Sequence, residues 1–313
     1  MKNNLVPLVV LAMLAGLPLL GLNSYVMHIL ILSIMWTLAG MAWNLLGGYC
    51  GQVSFGHAAF FGMGAYSAGL IHLHLGLSPW WGFLVSLPLV ALVALAMGSV
   101  VLRLRGPYFV LATLAIGEVL RITCENLTDF TKGTLGIMIT RTWVEKTQYY
   151  YIILGLALLG FVVCRAIVHS RWGYYFVAIR EDQDAAESMG IDTTRYKTIA
   201  LTVSAMLTGL AGAFYTNYMG YIDPGVVFSL GEISILIIMV VMVGGVATEW
   251  GPALGAGIMV ILAEYIRSLP LIGVAYQTMF GVLLIVIIIY LPNGLVGDWP
   301  VLRRKLLRRG ATA

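Results

Sequence analysis

Fourteen Asp and Glu residues are scattered through 313 positions, and their placement is the first chemical signal in the chain. None precedes Glu118. Five of them, Glu181, Asp182, Asp184, Glu187 and Asp192, crowd into one short interval. Such a cluster can cap a helix, hold a cation or present charge to a partner. Glu118, Glu232 and Glu264 instead sit inside apolar stretches, where an ionisable group is costly and points to function by default. Arg121 follows Glu118 by three residues and Arg267 follows Glu264 by three, spacings that permit pairs within one helix. Glu118 is expected to face the interior of a helix bundle, and Glu232 to lie near an outer end that water reaches. Asn44, Asn217 and Gln277 are weaker polar candidates.

Several chemistries are absent. No HExxH, no GxSxG and no carboxylate pair on a common pocket occurs, so an enzyme is not expected. No GxxxxGK[ST] occurs either, so the chain has no phosphate-cradling loop with which to hydrolyse ATP. Cys50, Cys124 and Cys164 are widely spaced and form no CxxC or Cys/His pattern, which suggests neither a disulfide framework nor a zinc site. They read as small apolar packing residues. No metal and no cofactor is expected.

The elements that must position these residues are membrane helices. The chain is 60% hydrophobic and only 10% charged, whereas a soluble domain carries about 25% charged residues. It cannot supply a charged shell, which excludes soluble, disordered and nucleic-acid-binding classes. Lipid admits only helices and closed barrels. Barrel strands would alternate polar and apolar residues, but stretches such as Phe280–Leu291 are continuously apolar, so helices are favoured. The expectation is an all-α polytopic membrane protein with about ten transmembrane helices. They fall near 5–22, 25–46, 51–75, 79–102, 107–123, 148–168, 197–219, 228–247, 251–269 and 275–291. Lys2 ahead of the first apolar run also fits a signal peptide. That run is long for one and no A-x-A site follows, so it is read as a retained helix.

Basic residues orient the bundle. With N and C termini both cytoplasmic, the inner side holds 13 of the 18 Lys and Arg residues, including Arg103, Arg105, Arg165, Arg180, Lys197 and the tail run RRKLLRR. The outer side holds Arg121, Lys132, Arg141, Lys146 and Arg267. The excess of inner cations favours this orientation. The net charge of +4 is therefore a topology signal and not a sign of a nucleic-acid partner. The whole chain, 1–313, reads as one transmembrane domain with a polar cytoplasmic loop at 169–197 and a basic cytoplasmic tail at 292–313.

That loop, HSRWGYYFVAIREDQDAAESMGIDTTRYK, contains good helix formers from Glu181 to Met189, with Gly190 placed to cap the end. Acids in the first turn suit the helix dipole. Ala185, Ala186 and Met189 would offer a small apolar face, with Asp182, Asp184 and Glu187 in water. Such a helix can insert into a groove on a partner, or it can be a solvated connector. A second feature is the glycine-rich run from Gly47 to Gly69. Small residues recur every four positions (Gly47/Gly51, Ala58/Gly62, Ala65/Gly69), which permits close helix contact in lipid. The same glycines could loosen the helix start and open backbone polar groups to a central cavity. Gly48, Gly51, Gln52, Ser54, His57, Glu118 and Asn217 are the candidates for lining a translocation pathway. For His57 the alternative is a hydrogen bond to a neighbouring helix.

The segment DAAESMG (184–190) resembles the EAA-x3-G element of ABC importer permeases. WNLLGGYCGQVSFGHAAFFGMGAYSAG (43–69), RGPYFVLATLAIGE (105–118), TKGTLGI (131–137), REDQDAAESMGI (180–191) and LPNGLVG (291–297) resemble, in order, the branched-chain amino acid importer permeases. The likeness is to the longer of that system's two related permease subunits. One departure is that no Leu-Pro follows Gly190, unlike the EAA pattern of other importer families. The resemblance implies a bacterial inner-membrane subunit importing branched-chain or other hydrophobic amino acids by alternating access. It implies four kinds of partner: a second homologous permease, two cytoplasmic ATP-binding subunits, an external substrate-binding protein and the lipid bilayer. Residues Glu181, Asp182, Asp184, Ala185, Ala186, Glu187 and Gly190 would form the coupling helix that docks on the ATPase. Alternatives are a urea or amide importer permease, and an ion-coupled secondary transporter working through Glu118.

Overall fold

The computed structural model describes residues 13–267, several positions between 278 and 289, and residues 294–297. In chain order the principal helices are α1 (Ser24–Trp43), α2 (His57–Leu75), α3 (Gly82–Val101), α4 (Pro107–Asn126) and α5 (Lys146–Val168). They are followed by α6 (Arg171–Glu181), α7 (Gln183–Ser188), α8 (Thr193–Met219), α9 (Leu236–Gly244) and α10 (Gly251–Arg267). Among the described residues, six helical stretches are long and apolar enough to cross a membrane: Ser24–Tyr49, Pro79–Val101, Pro107–Asn126, Lys146–Val168, Thr193–Met219 and Pro224–Gly244. The chain is a polytopic, helical membrane protein.

α2 has spanning length too, but His57, His72 and His74 make it less apolar than those six. Gly251–Ile266 is a shorter apolar helix. Of the first expected span, residues 1–12 lie outside the described set, and 13–22 end in a 3-10 turn, Leu17–Leu20, closed by Gly21. The expected tenth span (275–291), the tail (292–313) and Gln277 also lie largely or wholly outside it.

Local chemistry moves several expected boundaries. α1 widens into a π-helical turn at Asn44–Tyr49, and a second π turn, Leu230–Ile235, leads into α9. The chain from Cys50 to Gly56 is irregular, so α2 begins at His57 rather than near residue 51. α8 begins four residues earlier than expected, because Asp192 caps it by accepting the Arg195 amide at 3.0 Å. The outer TKGTLGI segment contributes strand β1 (Ile137–Met138), which pairs antiparallel with β2 (Tyr221–Ile222), placing Ile137 opposite Ile222. That short pair was not anticipated; Gly220 ends α8 at φ +75 and releases the chain into extended backbone.

α1 and α8 are the centre of the bundle. Their most apolar windows are 72% and 67% buried, against 22% for both α4 and α5 at the rim. Burial alone does not hold helices together in lipid, whose tails are as apolar as leucine, so close packing must. α2 and α8 meet where Gly64 faces Gly209 and Gly212 faces the Phe61 carbonyl. A Cβ at Gly64 or Gly212 would overlap backbone atoms. The expected four-residue stripe is thus divided among partners, since Gly62 abuts Phe228 and Gly69 abuts Ile222.

Overpacking a core usually costs about 1–3 kcal/mol, and a backbone carbonyl cannot rotate aside as a side chain can. Gly212→Val is therefore expected to lower the apparent Tm of the detergent-solubilised protein markedly, with Gly257→Val, at an open position, as the neutral comparison. Equal Tm values would contradict this packing.

Candidate functional site

The acidic interval folds into α7, and its ends are closed by its own residues. Asp182 accepts the amides of Asp184 (2.9 Å) and Ala185 (3.0 Å), satisfying N–H groups that a helix start leaves open. At the other end Gly190 takes φ +84. The Ile191 amide donates back to the Ala186 carbonyl (3.1 Å) and the Gly190 amide to Glu187 (2.9 Å), a Schellman closure.

Six residues make a marginal helix, so side-chain ties matter. Arg105, between α3 and α4, reaches Asp184 at 2.7 Å and Glu187 at 3.7 Å. The Glu187 carboxylate also accepts from the Thr193 hydroxyl (2.5 Å) and the Gln183 amide (2.9 Å). These bonds, Thr193 first and then Gln183, hold its carboxyl below the usual carboxylate range. Lys197, buried on α8, donates to the Gln183 side-chain oxygen at 2.8 Å. The expected shared face of Ala185, Ala186 and Met189 divides. Ala186 turns into the core at 4% exposure, while Ala185 and Met189 point outward, Met189 at 83%. Residues 185 and 189 share a helix face, and residue 186 lies a quarter-turn away. Asp184 and Glu187 are exposed as expected, but engaged by Arg105.

The preceding helix, α6, fastens this element to the glycine-rich turn. Arg180 donates to the Gly48 carbonyl at 3.2 Å and also pairs with Glu181 at 2.7 Å. Gly51, at φ +71, would place a Cβ 2.6 Å from Arg180 Cγ. Gly48 is excluded from carrying a side chain by Asn44 Oδ1 and by the Ala247 amide, 2.8 Å away. Asn44 in turn accepts that amide at 2.8 Å and donates to the Thr248 carbonyl at 2.9 Å. It thereby holds the turn after α9, where Ala247 sits at φ +54, an uncommon conformation for a residue with a Cβ. Next to it, Glu249 accepts from Arg165 of α5 and from His169 at 2.5 Å. One end of the bundle is thus a continuous polar linkage from α7 through Arg180 and Asn44 to the turn at 245–249.

The other pathway candidates are distributed. Ser54 accepts the Gly56 amide at 3.2 Å, and its carbonyl accepts Trp43 Nε1 at 2.8 Å. His57, fully buried, bonds Ser204 of α8 at 2.8 Å. Ser204 gives its own proton to the Ala42 carbonyl (2.6 Å), so His57 Nε2 must be the donor. This matches the helix-tie alternative. Asn217, at 2% exposure, donates to Ala213 (2.9 Å) and Pro79 (3.3 Å). Gln52 is half-buried on the turn. Glu118 departs from its expected place. The buried stripe of α4 is Phe109, Thr113, Gly117 and Cys124, so Glu118 points outward, its side chain 48% exposed and paired with Arg121. Glu232 and Glu264 line a cavity of about 110 Å³ together with Leu32, Trp36, Met259 and Val260. The Arg267 side chain, the expected partner of Glu264, lies outside the described residues. Among the described residues no three His, Cys, Asp or Glu side chains group to hold a metal.

The family model "Branched-chain amino acid transport system / permease component" matches residues 25–291. The chain belongs to that family. It is 29% identical over 315 residues to the high-affinity branched-chain amino acid transport system permease protein LivM of Escherichia coli (strain K12), covering 90% of this chain and 71% of that protein. It is 22% identical to the permease LivH of the same organism, covering 84% and 91%. The autoinducer 2 import system permease LsrC of Enterobacter sp. (strain 638) is 27% identical over 191 residues, 55% of this chain and 53% of that protein. No solved structure matches. The LivM likeness makes this a permease subunit of the longer type.

Arg105, Arg180, Lys197 and Glu249 are central to the permease's linkage, and residue order gave little sign of it. The first three marked orientation, and Arg105 and Arg180 also open two of the segments that carry the family resemblance. The run of glycines facing Arg180 was the one available clue that something large approaches that turn. Asn44→Leu is expected to destabilise by about 1–3 kcal/mol, because it strands the Ala247 N–H and the Thr248 carbonyl. Arg105→Ala, which breaks only the exposed ion pairs with Asp184 and Glu187, is expected to destabilise less than Asn44→Leu. Thermal unfolding of the two purified variants measures the order; a reversed order would contradict it.

Proposed function

We propose that this permease carries branched-chain or other hydrophobic amino acids across a bacterial inner membrane, as one of two related permease subunits. Two cytoplasmic ATP-binding subunits would drive it and an external binding protein would deliver substrate. The reading includes about ten spans with both termini in the cytoplasm, and alternating access through a path bordered by candidates such as Gly48, Gly51, Gln52 and Glu118. Closure of the ATPases would move α7 and tilt the spans attached to it.

The observation that carries this proposal is α7 itself. It is capped at both ends and tied by Arg105, Thr193 and Lys197, yet leaves Ala185 and Met189 uncovered. An exposed methionine on a fixed short helix suits insertion into a groove on another protein. The ties would transmit the motion: Arg105 joins α7 to the α3–α4 connection, and Arg180 joins α6 to the glycine-rich turn. A path poor in charge fits an apolar substrate handed over by a separate binding protein.

Because Ala186 is buried, replacing it would test folding; Met189 tests docking. Met189→Glu is expected to cut ATP-driven uptake at least 10-fold in vesicles and to reduce recovery of the ATPase with the tagged permease. Undiminished uptake with unchanged ATPase recovery would refute the docking role. Topology has its own check. In a background without native cysteines, Thr134→Cys should react with an impermeant thiol reagent from outside intact cells and Ser188→Cys should not; the opposite pattern would invert the orientation.

A further inference from the structure

Two separate routes lead from the docking element to the turn at 245–250, which joins α9 to α10. The first passes through Arg180, Gly48 and Asn44 and ends on the Ala247 amide and the Thr248 carbonyl. The second passes through the corner between α5 and α6 and ends on Glu249. α7 follows α6 with Asp182 alone between them, and the Asp182 amide still donates to the Ala178 carbonyl at 3.1 Å. At its other end α6 is capped by Ser170, which accepts the Trp172 amide at 3.1 Å, and only His169 and Ser170 separate it from α5. A Cβ at Gly173 would fall 1.9 Å from the Val168 carbonyl oxygen, so the corner is drawn tight. A displacement of α7 therefore meets no slack connector before the end of α5.

That end presents one side to the turn. Phe161, Arg165 and His169 recur every four residues and stand one above another. The Phe161 ring centroid lies 5.1 Å from that of Trp250, Arg165 pairs with Glu249, and His169 Nε2 donates to the same carboxylate at 2.5 Å. The seam is nearly filled: a cavity of about 20 Å³, lined in part by Asn44, Tyr49, Arg165 and Glu249, is room for one water. The turn itself is soft, because Gly244, Gly245 and Gly251 frame it and glycine backbone yields easily. What it joins is stiff. A Cβ at Gly244 would lie 1.8 Å from the Gly251 carbonyl oxygen, and one at Gly255 1.8 Å from that of Val240, so the backbones of α9 and α10 touch. The two helices move as a pair, and a soft turn passes motion to them only where side chains fix it.

We propose that Glu249 is a positioning residue for transport, fastening the α9–α10 pair to the α5–α6 corner so that movement of α7 is delivered to those spans. Asn44 fixes the backbone of the turn from α1, and Glu249 fixes it from α5. The Glu249 and Arg165 side chains are 23% and 29% exposed, and a partly buried pair is screened less than a surface pair. Its place also separates it from an ordinary packing contact, since His169 stands next to the residue that caps α6. The carboxylate acts in coupling hydrolysis to uptake and not in contacting substrate. This role rests on the ATP-driven importer reading above.

The test uses the complete importer, reconstituted with both permeases, the ATPases and the binding protein, with branched-chain amino acid uptake and ATP hydrolysis measured on the same vesicles. Glu249→Ala is expected to lower uptake per ATP hydrolysed about 10-fold, within the usual range for coupling between two sites, with ATPase recovery and hydrolysis near wild type. A second variant separates the role from folding. In a background without native cysteines, Arg165→Cys combined with Glu249→Cys should be equally uncoupled while both thiols are free. It should regain coupling when a short bifunctional maleimide joins them, because the covalent tie replaces the ion pair. Normal coupling in Glu249→Ala and in the unjoined double variant would overturn the positioning role and leave the importer reading standing. So would a joined variant that loses its remaining uptake, the behaviour of a cluster that must open in each cycle. ATPase recovery and hydrolysis that fall together in both variants, joined or not, would make Glu249 a folding residue and overturn the role as well. A wild-type complex that hydrolyses ATP without taking up branched-chain amino acids would overturn both.

Discussion

Hydrocarbon offers neither donor nor acceptor, so each polar group that this chain carries into a bilayer must be met by the chain or by a neighbouring subunit. Most of the interior follows that constraint; among the described residues His57 Nδ1, the Tyr66 hydroxyl and Asn217 Oδ1 are buried without a hydrogen-bond partner. Ser33, Thr37, Thr202 and Thr208 return their hydroxyl protons to carbonyls one turn back. Ser204 joins α1 to α2 by receiving from His57 and donating to Ala42. Ser234 donates to the Phe55 carbonyl at 2.7 Å and accepts the Ala58 amide at 2.9 Å, closing the irregular start of α2. The broken backbone between Cys50 and Gly56 is tolerable because neighbouring helices supply the bonds that helix geometry no longer does.

The same constraint explains why the bundle is built on small residues. Where lipid competes equally for apolar surface, helices gain by approaching until backbones touch, which Gly64, Gly209 and Gly212 permit between α2 and α8. A rigid centre results, with α1 and α8 largely enclosed and α3, α4 and α5 at the rim. Rigid centres move as blocks. A displacement applied at one end is carried along whole helices instead of being absorbed locally.

That end is where the charged side chains engage one another. α7 is too short to persist unaided, and it is held by Arg105 from the α3–α4 connection and by Thr193 and Lys197 from the first turns of α8, with Gln183 bonding Glu187 inside it. Arg180 then meets the glycine turn, and Asn44 meets the turn beyond α9. The ties to α7 are between side chains, while those of Arg180 and Asn44 reach backbone atoms and fix the position of the two turns. Charge on α4 is the exception, lying outside the linkage and away from this end.

Much of this was legible in residue order. Apolar runs of spanning length, the shortage of charge and the cap chemistry of Asp182 and Gly190 are local properties, determined by bilayer thickness and by backbone groups within a few residues. They specified a polytopic helical protein, most of its helix positions and the existence of α7. What residue order left undecided was which side of each helix meets which neighbour. A single helix pattern could not tell that Glu118 faces out, that Ala186 turns inward while Ala185 does not, or that Gly51 makes room for Arg180 and Gly48 for Asn44 and the Ala247 amide. Those outcomes depend on contacts between residues more than a hundred positions apart, such as Gly48 with Arg180 and Asn44 with Ala247. Only the packed bundle decided them, because in lipid the direction of a side chain is set by the backbone and partners beside it.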